Sequence, residues 1–295
     1  SMADTNSLLT RTMLVSLSIS MYRARKRDKR ITKETAARYG TVEKAGNYNK
    51  SLFPVEDGNS YQLIDQAASN AYTHFRAQTL PWLDDGTRIL TAANYLHLME
   101  IIRQDRAAFE SAVAEFKTDL PELVKKAEAI LGPKMFHAED YLQPHQVDAR
   151  FGFSIKVFPL PVAEDFRIPA GQLISQEEIN QIKEQNTRDL YDAFKEAIRD
   201  TYRRLHDHVS NLHRALSSGG VVKQATIKNL RDLCEVLPRL NPTNDEGLTE
   251  MLRKINEQLT CHDAEDLGKK HKKFRKQVAK EAERIQSDLA AFMGR

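Results

Sequence analysis

From Val15 the chain alternates, with Val15, Leu17 and Ile19 on one side and Ser16, Ser18 and Ser20 on the other. A period of two predicts a half-buried strand over residues 13–20. A second alternation, Phe151, Phe153, Ile155 and Val157, predicts a strand over 151–158 that Pro159 and Pro161 end. Neither strand can leave both edges bare cheaply, so the two are predicted to pair with each other. Arg88-Ile89-Leu90 and Phe166-Arg167-Ile168 are candidates for further strands.

Elsewhere apolar residues recur at steps of three and four, the helical period. A short helix is predicted over 32–39, capped by Thr32 and stopped by Gly40, and a loop at Gly46-Asn47-Tyr48-Asn49-Lys50. A helix capped by Ser60 reaches Thr79, before a turn at 80–86. Thr91 opens a long helix through Phe116. Pro121 is predicted to end it and start another, closed by Gly132-Pro133, because proline suits a first turn and disrupts an interior. Ser175-Gln176-Glu177-Glu178 is a capping box. No breaker follows until Ser217-Ser218-Gly219-Gly220, a helix of about 40 residues and roughly 60 Å. That exceeds the width of a compact domain, so the helix is predicted to project or to pack against another subunit in a homo-oligomer, a dimer or tetramer. Its apolar seam, from Ile179 and Ile182 to Leu216, has the spacing of helix packing. Further helices are predicted over 226–237, 246–259 and 263–292.

The fold class is therefore mainly α with a small β-sheet (α+β), with long helices and no OB barrel, since two clear strands cannot build a five-stranded barrel. Three regions are expected: a basic N-terminal arm over 1–50 with one strand and a short helix, a helical region with a small sheet over 51–170, and a long-helix, oligomerising region over 171–295.

Charge changes the picture more than composition does. The net charge of +3 conceals a local +7 in residues 1–50 and another +7 in residues 269–280, leaving −11 for the rest. Concentrated positive charge attracts polyanions, and salt weakens the attraction. The hydrophobic fraction of 41% is enough for a core. No apolar run approaches the roughly 18 residues of a membrane span, so no membrane partner is expected. Cys234 and Cys261 form neither a disulfide framework nor a zinc set, which fits a reducing cytoplasm.

The chain has no phosphate-cradling glycine loop, no nucleophile elbow and no HExxH pair. His206, His208 and His213 have poor spacing for one metal, and Cys261-His262-Asp263 are adjacent rather than convergent. Asp84-Asp85-Gly86 reads as a tight turn before it reads as a magnesium site, and Trp82 as a loop anchor. No catalytic residue, metal or cofactor is predicted, and the protein is read as non-enzymatic.

The basic segments carry the chemistry. Arg23, Arg25, Lys26, Arg27, Lys29 and Arg30 place six cations in eight positions directly after a strand, with Lys50 nearby. Tyr22, Tyr39 and Tyr48 interleave with them, and of these Tyr22 and Tyr48 are the candidates for stacking bases. Lys269, Lys270, Lys272, Lys273 and Arg275 form the second cluster, around Phe274. Repeated charge neutralises phosphates, and flat aromatic faces suit unpaired bases, so single-stranded DNA is the predicted partner.

The stretch from Val15 to Arg30 resembles the opening of a family of bacteriophage proteins, mostly uncharacterised. The resemblance continues at Gly46-Asn47-Tyr48-Asn49-Lys50, at residues 80–90 from Leu80-Pro81-Trp82, at Ala93-Asn94-Tyr95-Leu96 and at residues 153–161, in order, over most of 13–260. Within that neighbourhood the chain is similar to the Drc-type single-stranded-DNA-binding RNA polymerase cofactors of schitovirus-type podophages. That resemblance implies a non-catalytic protein that binds unwound promoter DNA and recruits a phage RNA polymerase, on a fold unlike an OB barrel. It supplies no set of DNA-contacting residues. A helical scaffold or adaptor for other phage proteins is the competing expectation.

Overall fold

The computed structural model describes residues 2–55, 57–83, 86–162 and 174–294. Its elements, in chain order, are α1 (Met2–Arg11), β1 (Thr12–Ser20), β2 (Arg25–Arg27), α2 (Lys29–Arg38), β3 (Asn49–Ser51), α3 (Ser60–Ala77), β4 (Leu80–Pro81), β5 (Thr87–Thr91), α4 (Tyr95–Leu131), α5 (Val147–Arg150), β6 (Gly152–Phe158), α6 (Gln176–Ser217), α7 (Gln224–Val236), α8 (Glu246–Gln258) and α9 (Lys272–Met293). The expected fold class is the one observed: long helices and a small antiparallel sheet of order β4-β5-β1-β6, with no closed barrel among the described residues. The two alternating segments are neighbours in that sheet, and 87–91 supplies a further strand. Phe166–Ile168 and Asp84-Asp85 lie outside the described residues.

The chain divides into two compact units of non-contiguous segments. One comprises Ser1–Ser16, Arg76–Leu98 and Lys156–Arg295. Its core is the seam of α6 from Leu190 to Leu216; α9 packs there with Val278, Ala282, Ile285 and Leu289, from Arg275 beside Leu216 to Phe292 on Tyr202, while Trp82 meets Phe194 nearer the start of the seam. From Leu190 on, the seam that suggested another subunit is thus occupied within the chain. The preceding residues of α6 carry no buried side chain. Each buried aliphatic here contributes roughly 1.5–3 kcal/mol of transfer free energy. Tyr202 stacks on Phe292 at 4.7 Å and donates a hydrogen bond to Asp245, whose carboxylate also caps α8. Gly247 belongs there because a Cβ would lie 2.6 Å from the Tyr202 hydroxyl and 2.9 Å from the Phe292 ring.

The other unit comprises Leu17–Phe75 and Met99–Ile155. Phe53, Tyr61, Phe116 and Tyr141 form an aromatic cluster with centroids 5.5–5.7 Å apart, and Ile64, Ala68, Ala71 and Phe75 present the buried face of α3.

Several element boundaries differ from the sequence reading: the loop expected over 46–50 gives its last two residues to β3, and Thr91 ends β5 while α4 begins at Tyr95. α4 runs through Pro121 without a break; the ring sits on the exposed side, where water can satisfy the carbonyl it releases. α2 begins three residues early, because the Asp28 carboxylate takes the Ile31 amide and displaces Thr32 as cap. At α3, the Asn59 side chain accepts from the Tyr61 and Gln62 amides, so Asn59 and not Ser60 caps the helix. α9 begins at Lys272, after turns over 263–271, which puts the lysine run at its first turns. Residues 2–11, read as part of an arm, form a helix that buries Leu8.

Candidate nucleic-acid interface

The basic run after β1 is not a free arm. β2 and β3 pair antiparallel, with Arg25 opposite Ser51, Lys26 opposite Lys50 and Arg27 opposite Asn49. The ladder extends at both ends, from the Leu52 amide to the Ala24 carbonyl (2.7 Å) and from the Asp28 amide to the Tyr48 carbonyl (2.8 Å). Alternation along a strand then sorts the cations by face. Lys26 and Lys50 share one face, while Arg25 and Arg27 share the other with Asn49 and Ser51, all four exposed.

Two lysines directly opposite each other repel unless an anion lies between them, and Asp140 supplies it. Its carboxylate lies 2.5 Å from Lys26 Nζ and 2.8 Å from Lys50 Nζ. Lys50 also donates to the Met135 carbonyl at 2.8 Å, and Asp28 Oδ2, which has no hydrogen-bond partner, lies 3.9 Å away. Burial works against the charge on Asp140, yet the hydrogen bond from Lys26 and the Lys50 ammonium beside it outweigh it and hold the carboxyl below the usual carboxylate range. The Tyr22 hydroxyl donates to the Asp140 carbonyl; burial, with the Asp140 charge beside it, pushes its pKa up to about 12.

Three of the sequence-nominated residues are therefore internal. Tyr22 is 8% exposed under the Arg150 guanidinium, and Lys50 is 3% exposed in the Asp140 cluster. Arg275 is 6% exposed; its guanidinium donates to the Ala215, Leu216 and Leu267 carbonyls, closing the C-terminus of α6. As placed, none of the three offers its side chain to a ligand. Lys26 is half exposed but occupied by Asp140.

The remaining nominees of the first cluster face solvent. Arg23, Arg25, Arg27 and Lys29 are exposed and form no ion pair with a described carboxylate; Arg30 is shared between Glu34 (3.3 Å) and the Lys134 carbonyl (3.0 Å). Arg25 and Arg27, two residues apart on one strand face, are about 6.7 Å apart along it. α2 continues the surface. Its Thr32 and Ala36 are buried, so Lys29, Lys33 and Arg38 lie on the solvent side. Thr32 fastens the loop that returns to β3, donating to the Asp28 carbonyl and accepting from the Tyr48 amide. Gly40, at φ +64, ends the helix and leaves Tyr39 76% exposed; Tyr48 is 41% exposed and Lys44 lies between them in sequence.

Tyr39, Lys33, Arg38 and Lys44 were absent from the sequence-nominated set. Tyr39 is three residues after buried Ala36, so the helical period would have sent it inward; the stop at Gly40 was the one signal against that. The second cluster, Lys269, Lys270, Lys272 and Lys273, is exposed and belongs to the unit built on α6 and α9. Phe274 there packs edge-on against His262 at 4.9 Å.

This arrangement can bind an extended polyanion: forked donors at regular spacing on a short, braced ribbon, with aromatic faces at the end of the adjoining helix. Among the described residues no group of three or more His, Cys, Asp or Glu is placed to hold a metal ion, and no helix is long and apolar enough to cross a membrane. Comparison with protein-family models, with curated proteins and with solved structures finds no match to this chain.

Proposed function

We propose that the protein is a non-catalytic single-stranded-DNA-binding protein of a bacteriophage, acting in the host cytoplasm in transcription, by recruiting a phage RNA polymerase to unwound promoter DNA, or in replication. One observation carries the binding reading. Arg23, Arg25, Arg27, Lys29, Lys33, Arg38 and Lys44 stand exposed, without a described carboxylate partner, on the same β2–α2–β3 excursion as exposed Tyr39 and Tyr48. The cations neutralise phosphates with loss of condensed counterions, which makes affinity salt-dependent. The tyrosines offer faces on which unpaired bases stack, a sequence-tolerant interaction of about 1–3 kcal/mol per base. A duplex hides those base faces, so the aromatic part favours single strands.

A phage polymerase and a second copy of the chain are the proposed protein partners. The first turns of α6, before Leu190, carry half-exposed Ile179 and Ile182 and are the part of its seam left for such contacts. The same feature supports the second reading, a helical scaffold or adaptor without nucleic-acid binding.

Fluorescence anisotropy on the whole chain with Arg25→Gln, Arg27→Gln and Lys29→Gln combined separates the two. Single-strand affinity falling more than tenfold supports the binding reading. Equal affinity in the variant and the unaltered protein removes the ribbon as the site, and no binding by either leaves the scaffold reading.

A further inference from the structure

The start of α9 concentrates its charge more than the rest of its unit. Elsewhere there, exposed cations either sit beside carboxylates, as Arg203 does on Glu196, Lys228 on Asp232 and Arg253 on Glu250 and Glu257, or stand apart without a described carboxylate, as Arg188, Lys195 and Lys223 do. Lys269, Lys270, Lys272, Lys273, Lys276 and Lys280 are all exposed, and none forms an ion pair with a described carboxylate. Residues 269–280 contain no acid at all. Lys272, Lys276 and Lys280 recur every four residues, so they follow one another on one face about 6 Å apart along the axis. Like charges at this spacing repel, and cations in a first turn oppose the helix dipole. The stretch is self-repulsive as it stands, and a row of negative charges laid along it would relieve both effects.

The row is also firmly placed. Arg275, in its midst, turns inward to three carbonyls, and Val278 and Ala282 seal the same face against α6. A lipid surface fits poorly, because a helix lying in a membrane needs its apolar face for the acyl chains, and here that face is covered by α6. Phe274, the one ring within the row, is 36% exposed and meets His262 edge-on at 4.9 Å. The row is therefore chiefly point charges, in contrast to the arginines and two exposed tyrosines of the β2–α2–β3 surface.

We infer that the lysine row at the start of α9 is a second polyanion site, which takes the phosphate backbone of a polynucleotide without reading bases or strandedness. It does not depend on the β2–α2–β3 surface being a binding site. Its test uses the whole chain with Lys272→Gln, Lys273→Gln, Lys276→Gln and Lys280→Gln together, alongside the Arg25/Arg27/Lys29 variant above. Binding to single-stranded and duplex oligonucleotides is followed by anisotropy over a salt series, and thermal unfolding is recorded for each protein.

The row variant is expected to lose duplex and single-strand affinity by similar factors. Its log–log salt slope on duplex should be shallower by about 3–4, nearly one for each phosphate contact removed. Its unfolding midpoint should stay level or rise, because repulsion at the start of α9 has been relieved, so the lost affinity cannot be ascribed to misfolding. Unchanged affinity and slope for both oligonucleotides overturn the inference, as does failure of the unaltered protein to bind duplex at low salt. Loss confined to the row variant, with the Arg25/Arg27/Lys29 variant binding normally, sustains this inference while removing the proposal for the other surface.

Discussion

A single carboxylate decides what the basic ribbon shows to solvent. Asp140 holds Lys26 and Lys50 on the inner face, and the pleat then turns Arg25 and Arg27 outward. Asp140→Asn removes the anion and leaves Lys50 buried with a distant partner in Asp28. Removing one member of a buried pair costs about 3–5 kcal/mol, so chemical denaturation should show a loss approaching that range, with weaker oligonucleotide binding although no cation has been removed. Tyr22 adds a pH dependence. Its folded pKa of about 12 lies above the unfolded value near 10. The neutral phenol is favoured in the fold, so its contribution is complete below pH 10 and fades between about pH 10 and 12. Alkaline titration followed by circular dichroism should show that loss, and Tyr22→Phe should shift it to higher pH. Arg275 and Lys276 are neighbours in sequence and opposite in role. Arg275→Ala strips three carbonyls of their donor and should cost about 2–4 kcal/mol, whereas Lys276→Ala should change the unfolding midpoint little.

At the scale of elements, period was legible and termini were not. The alternations after Val15 and Phe151 locate β1 and β6, although burial follows them only in part: Val15, Leu17 and Phe153 are buried, Ile19 and Ile155 half-buried, and Val157 is exposed. The Ser175 capping box and the stop after Ser217 bound α6, because both signals are local. Pro121 misled because the cost of an interior proline depends on whether its side of the helix is wet, which is tertiary information. β2 and β3 were illegible for a similar reason. Arg25-Lys26-Arg27 has no apolar alternation, and only Asp140, more than a hundred residues on, makes its pairing with Asn49–Ser51 tolerable. The same long-range partners explain why Tyr22, Lys50 and Arg275 read as surface residues. In α8, close approach to Tyr202 and Phe292 makes Gly247 sensitive; Gly247→Ala should cost about 1–3 kcal/mol by overpacking, measured as a lowered unfolding midpoint.

At the scale of the whole molecule, the balance of charge was readable from the sequence and its partition into faces was not. The two +7 segments against a remainder of −11 mark where a polyanion would be held. Folding then withdraws three of the nominated residues and brings Tyr39, Lys33, Arg38 and Lys44 to the surface beside those that remain. The two basic surfaces differ in kind, one with arginines and two open tyrosines, the other mainly with lysines, so they should differ in the nucleic acid they distinguish.

The most direct test of the central proposal is the ratio of single-strand to duplex affinity across a salt series, for the unaltered protein and for Tyr39→Ala with Tyr48→Ala. The account predicts single strands bound more tightly, with affinity falling as salt rises, and a ratio that drops about tenfold or more when both rings are removed, as a stacking energy of 1–3 kcal/mol per base requires. A ratio near one in the unaltered protein, or one that the double substitution leaves unchanged, would contradict it.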